Sequence, residues 1–100
     1  MAFFGIRNKV RGQPPQSFES SVVSTEMLPP NTNRKALFIK NASMAKVYLA
    51  FNGHDAVVGK GVSIEKGEIL QVGATLLPIE SINVISDVGM AGTIEFQEWL

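Results

Sequence analysis

The sequence has no cysteine, and only one histidine, one tryptophan and one tyrosine among its 100 residues. Without cysteine there is no disulfide, no thiolate metal site and no thiol nucleophile, and the redox compartment leaves no mark. Charge is scarce too. Asp, Glu, Lys and Arg make up 18% of the chain, below the roughly 25% of an ordinary soluble domain, and nine bases balance nine acids. A surface with few charges and no net charge favours association over mutual repulsion. A pI near 6.6 lacks the basic excess of a dedicated nucleic-acid binder, so no nucleic-acid partner is expected. No apolar run approaches the roughly 20 residues that cross a bilayer. The opening Met1-Ala-Phe-Phe-Gly-Ile-Arg7 lacks the basic-then-apolar order of a secretory signal, so no membrane partner is expected either. Helical periodicity is missing as well. No stretch keeps apolar residues at i, i+3, i+4 and i+7, and nine glycines interrupt any long helix.

What is present is strand pattern. Forty-five per cent of the residues are apolar, enough for one core, and the length is that of one domain. Val23, Thr25 and Met27 share a parity before Pro29-Pro30-Asn31 ends the run. From Arg34 to Lys40, Leu37 and Ile39 point one way and Ala36 and Phe38 the other, which predicts a strand covered on both sides. Asn41-Ala42-Ser43 reads as a turn; its match to a glycosylation sequon has no meaning without secretion. Over Lys46–Asn52, Val47, Leu49 and Phe51 alternate with Lys46, Tyr48 and Asn52. Asn52-Gly53 predicts a hairpin turn, with a short strand at Val57-Val58 after it. Gly59-Lys60-Gly61 and Lys66-Gly67 bracket a strand at Val62 and Ile64. Strands follow at Leu70 and Val72, at Ile82 and Val84, and at Ile94 and Phe96. Seven or eight short strands with regular turns predict an all-β antiparallel sandwich or jelly-roll-like barrel over residues 21–100.

Residues 1–20 read as an extended arm outside that core. Arg7, Lys9 and Arg11 come before any acid, and Pro14-Pro15 denies two amide donors, which bars this stretch from a central strand. Yet Phe3, Phe4 and Ile6 are costly to leave in water, at about 1.5–3 kcal/mol per large side chain, so the arm packs either on its own domain or on something else. An extended arm sets its three cations on one edge. Against an acidic protein groove the apolar residues serve as anchors, whereas three charges hold nucleic acid only weakly at physiological salt. The plain alternative is an inert tail. Ordering the arm costs on the order of 1–2 kcal/mol per residue, which burial of the anchors and backbone pairing by strand addition would offset.

Catalytic constellations do not assemble from the sequence. His54-Asp55 sits in a predicted turn without the three or four converging ligands a metal needs. No Gly-x-Ser-x-Gly elbow accompanies the serines. Glu65, Glu68, Glu80, Glu95 and Glu98 fall in turns or on polar strand faces, where solvent keeps them ordinary carboxylates. Gly59-Lys60-Gly61 lacks the rest of a phosphate loop, and its glycines suit positive-φ turn positions. The expectation is a protein without catalysis and without cofactors or metals. Two aromatics remain as candidate contacts. Trp99 shares the outward parity of Thr93, Glu95 and Gln97 beside the acidic pair Glu95 and Glu98, or else folds over the domain edge. Tyr48 is either a cross-strand packing residue or an interface residue.

The run Asn33-Arg34-Lys35-Ala36-Leu37-Phe38-Ile39-Lys40-Asn41-Ala42-Ser43 is followed by Val47-Tyr48-Leu49-Ala50-Phe51. With Gly61-Val62-Ser63-Ile64-Glu65-Lys66-Gly67-Glu68 and Ile82-Asn83-Val84-Ile85-Ser86, it resembles small β-sandwich structural proteins of tailed bacteriophages over about residues 31–98. The resemblance implies a virion component, a capsid decoration or cement protein. Such a protein binds the major capsid protein and stabilises the head, often as a trimer or dimer, on the capsid surface after synthesis in the host cytoplasm. The arm residues Phe3, Phe4, Ile6, Arg7, Lys9 and Arg11, with Tyr48 and Trp99, are then the expected partner contacts. The alternative is a phage tail, head-fibre or adhesin module binding a host-surface ligand such as carbohydrate, with Tyr48 and Trp99 as a stacking platform.

Overall fold

The computed structural model describes residues 11–73, 78–87 and 92–100. Among them are eight strands and no helix: β1 Gln16–Glu19, β2 Thr25–Leu28, β3 Ala36–Asn41, β4 Val47–Ala50, β5 Val62–Ile64, β6 Ile69–Val72, β7 Ile82–Ser86 and β8 Thr93–Trp99. One sheet has the order β1-β8-β3-β6 and the other β2-β7-β4-β5, and every neighbouring pair is antiparallel. Pairing first with last, second with seventh, third with sixth and fourth with fifth is a long hairpin wrapped on itself, the jelly-roll arrangement of two Greek keys. The all-β sandwich expected from the turn spacing is the fold observed.

Period-two alternation builds the core. Leu37 and Ile39 of β3 with Ile94 and Phe96 of β8 meet Val47 and Leu49 of β4, Ile82 and Val84 of β7 and Ile64 of β5, all buried. Burial of each large side chain contributes about 1.5–3 kcal/mol before ordering costs. In β2 the register shifts between Glu26 and Leu28, so the adjacent Met27 and Leu28 are both buried, which a flat strand cannot achieve. Val23 lies before the strand and is exposed.

The turn at residues 41–43 is built on a buried side chain. Asn41 Nδ2 donates to the carbonyls of Ala45 and Ile64 at 2.7 and 2.8 Å, while its Oδ1 accepts from the Ser43 amide and hydroxyl at 2.9 and 2.6 Å. Fully satisfied, it ties the β3–β4 turn to the end of β5. Asn52 and Gly53 do turn the chain, with φ of 60° and 77°. They open a loop of residues 51–61, however, rather than closing a two-residue hairpin, because β5 starts only at Val62. Val57-Val58 forms no strand, since the Lys60 amide donates to the Val57 carbonyl in a turn.

The arm boundary also moves. Residues 11–19 run antiparallel along β8 as the edge of the first sheet. The Arg11 and Leu100 backbones exchange two hydrogen bonds of 2.9 and 2.8 Å, Gly12 bridges to Trp99, and β1 pairs from Gln16↔Phe96 to Glu19↔Thr93. Phe18 packs against the core. The prolines do bar a central position, as their missing amides require, but an edge strand tolerates them. Strand addition is satisfied here within the chain itself. Phe3, Phe4, Ile6, Arg7 and Lys9 lie outside the described residues.

Candidate binding face

The two sheets differ in what covers their outer surfaces. Over the second, the 51–61 loop is held by three hydrogen bonds: Gly53 N to Ser81 O at 3.1 Å, Asn83 Nδ2 to His54 O at 2.6 Å, and Ala56 N to Ser24 Oγ at 2.8 Å. The loop therefore reaches from β4 past β7 to the approach of β2, and its Ala56 is buried. The first sheet has no such loop among the described residues. Its outward side chains follow the parity opposite to Leu37 and Ile39: Ala36, Phe38 and Lys40 of β3, Thr93, Glu95, Gln97 and Trp99 of β8, and Ile69 and Gln71 of β6.

Register fixes their neighbours. Phe38 sits between Gln97 and Gln71, Ala36 lies opposite Trp99, and Lys40 lies between Glu95 and Ile69. Phe38 is a half-buried ridge between two depressions. One, of about 300 Å³, is bounded by Pro15, Ser17, Glu95 and Gln97. The other, of about 490 Å³, has Ala36 in its floor, Trp99 along β8, and Gln71, Val72 and Gly73 along β6. The small side chain of Ala36 between two large aromatics makes the groove. Sequence reading expected Phe38 to be covered from both sides, but no described element lies over it.

Trp99 is held in place from the arm side. A Cβ on Gly12 would approach its Nε1 to 3.0 Å and its Cδ1 to 3.3 Å, so the glycine lets the backbone close against the indole edge. Gln97 Nε2 donates to the Gln13 carbonyl at 2.8 Å, a second tie between β8 and the same segment. Trp99 thus points outward, as its parity predicts. Its supposed acidic pair does not form. Glu95 is exposed, whereas Glu98 has the inward parity and its carboxylate lies 2.6 Å from Arg34 Nε.

Arg34 was legible only as a strand residue, and it is a buried clamp. Besides Glu98, its guanidinium donates to the Pro29 carbonyl at 2.9 Å and to those of Pro78 and Glu80 at 2.7 and 3.3 Å. One planar fork closes this end of the sandwich by joining the carbonyls of residues 29, 78 and 80 to β8. No periodicity signals such a role. The stretch of carbonyls around two proline sites was the available hint, because carbonyls at such bends need donors.

Tyr48 is on the outer face of the second sheet, opposite Ile85 and Ser63, so it and Trp99 are on opposite sides of the molecule and cannot form one stacking platform. The Lys46 ammonium lies 5.6 Å from the Tyr48 ring centre and 3.1 Å from the Glu65 carboxylate. The hydrogen bond to Glu65 and its charge raise the Lys46 pKa above 10.5, with a smaller contribution from Tyr48. Arg11, His54 and Asp55 are exposed, and among the described residues no three His, Asp or Glu side chains gather as a metal site. Compared with known proteins, the chain matches no family model, no characterised sequence and no solved structure.

Proposed function

We propose that the protein is a non-enzymatic structural component of a virion, a capsid decoration protein that binds the major capsid protein lattice and stabilises the head. The observation that carries this reading is the fixed anchoring of the leading segment at the rim of a jelly roll. The Arg11–Leu100 hydrogen bonds and the Gly12–Trp99 bridge pin the chain at one end of the first sheet. The ten residues before that point hold Phe3, Phe4, Ile6, Arg7 and Lys9. Ten residues span at most ~33–36 Å fully extended. A rigid body thus presents apolar anchors and two cations within a short, defined reach. On a lattice, repeated copies multiply modest contacts through effective concentration. The jelly-roll order is common among capsid and lectin domains, which supports the reading by fold analogy alone.

The test is co-sedimentation with heads that lack this chain. The full chain is expected to saturate the lattice at a fixed number of copies per capsid subunit. Deletion of residues 1–10 is expected to lower occupancy at least about tenfold at subsaturating concentration, the equivalent of 1.4 kcal/mol. Deletion must stop at residue 10, because residues 11–19 belong to the sheet. Equal occupancy by both forms contradicts the role of the segment, and no occupancy by either contradicts the proposal itself.

A further inference from the structure

We propose that the groove between Phe38 and Trp99 on the outer face of the first sheet binds a neutral oligosaccharide. This site goes beyond capsid binding and does not depend on it.

Three observations select the ligand class. First, among the described residues none lining the groove is charged: Ala36, Leu37, Phe38, Val72, Gly73 and Trp99 are joined by the amide of Gln71. Along β3 and β8 the next outward charges, Lys40 and Glu95, face each other one row from Phe38. The described lining offers a charged ligand no counter-ion, so the complementary partner is uncharged. Secondly, the two aromatics occupy diagonal register positions, Phe38 beside Gln97 and Trp99 two residues further along β8. Such diagonal neighbours are about 7–8 Å apart, enough for each to contact a different part of one ligand. Thirdly, the groove lies on an open sheet face rather than inside the core. It cannot surround a wholly apolar molecule as ligand cavities usually do. What suits it is a ligand with one apolar face and a wet rim. A pyranose ring has this character, with C–H groups on one face and hydroxyls around its edge.

Gln71 supplies the polar element. It is exposed, and its amide makes no side-chain hydrogen bond among the described residues, so donor and acceptor both remain for a hydroxyl pair. A cross-strand step is about 4.8 Å, so β8 with Trp99 and β6 with the outward Gln71 stand about 10 Å apart, with β3 and its small Ala36 between them. That width admits a single sugar chain. The volume of about 490 Å³ falls in the ordinary range for small-ligand sites.

Trp99 is the only tryptophan, so emission from the whole chain reports on this groove. Titration with maltohexaose, cellohexaose, chitohexaose and mannohexaose is expected to give a saturable change in tryptophan emission with at least one of them. An oligogalacturonate of equal length is expected to give none. Phe38→Ala and Gln71→Ala are each expected to weaken the response about tenfold or more, while Tyr48→Ala on the opposite sheet leaves it unchanged. If Phe38→Ala fails to fold, the exposed Gln71→Ala carries the same decision. Absence of a saturable change with every neutral sugar overturns the proposal. So does binding that both groove variants leave intact. A shift in Trp99 emission on deleting residues 1–10, with no sugar response in the full chain, assigns the groove to the leading segment and overturns it as well.

Discussion

At the scale of single residues, stability concentrates on a few polar and backbone positions that no hydrophobic pattern announces. Arg34 is the first. Its guanidinium is buried and makes bonds to Glu98 and three backbone carbonyls. Removing one member of a buried pair strands the other, at a cost of about 3–5 kcal/mol. Arg34→Met is expected to lose that much in urea unfolding, and Arg34→Lys most of it, since an ammonium cannot reproduce the fork. A loss below about 1 kcal/mol would place the clamp outside the stabilising interactions. The loop glycines make a sharper contrast. Gly59 and Gly61 both have positive φ, of 88° and 83°. A Cβ at Gly59 meets nothing within 4 Å, whereas at Gly61 it would lie 2.5 Å from the Leu49 carbonyl oxygen. Gly59→Ala is expected to cost about 1–2 kcal/mol from backbone conformation alone. Gly61→Ala must also displace β4 or the loop and is expected to cost clearly more; equal midpoints in thermal unfolding would refute the steric argument. Lys46 sets a pH signature. Its raised pKa means the Glu65 contact stabilises the fold below 10.5 and is lost as pH climbs through the folded value. Unfolding curves of the native chain and Lys46→Met should therefore converge in strongly alkaline solution, and divergence there would contradict the sign.

At the scale of elements, the first sheet depends on a strand that composition assigns to a tail. Deleting residues 1–10 leaves β1 and the Arg11–Leu100 bonds in place, and the thermal midpoint is expected to change by less than about 4 °C, under 1 kcal/mol. Deleting residues 1–20 removes β1, uncovers Phe18's site and leaves β8 as an unprotected edge. The longer deletion should unfold earlier and aggregate on heating. Similar midpoints for the two deletions would show that β1 contributes nothing. Strands β3, β4, β7 and β8 were legible because each alternates over a half-buried surface: Leu37 and Ile39, Val47 and Leu49, Ile82 and Val84, Ile94 and Phe96. β1 was not, because Gln16-Ser17-Phe18-Glu19 has one apolar residue and follows two prolines. Its pairing is decided by the vacant edge of β8, which is tertiary information. Val57-Val58 failed in the opposite way. Two β-branched residues favour a strand locally, but the loop's bonds to β7 and Ser24 prevail. On the candidate face, Trp99's outward direction followed from parity. Its companions did not, since only the sheet order sets Phe38 diagonal to it with Gln71 across from Phe38, and sends Tyr48 to the other side.

At the scale of the whole molecule, one sheet face is crossed by the chain's own loop and the other carries an aromatic groove whose described lining is uncharged. This division would let the two proposed engagements act separately, the leading segment on a capsid lattice and the first sheet's outer face on a sugar. Low charge and zero net charge, an association hazard for a free protein, are compatible with life in a dense array. If the segment is the adhesive element, raising salt should weaken lattice binding modestly through Arg7 and Lys9, while Phe3→Ala with Phe4→Ala should weaken it far more. The decisive measurement is an electron cryomicroscopy map of heads decorated with the full chain. Continuous density for residues 1–10 against the major capsid protein, with the groove of Phe38 and Trp99 turned outward, is the predicted result. Well-resolved jelly rolls whose leading segments show no density on the shell would contradict it.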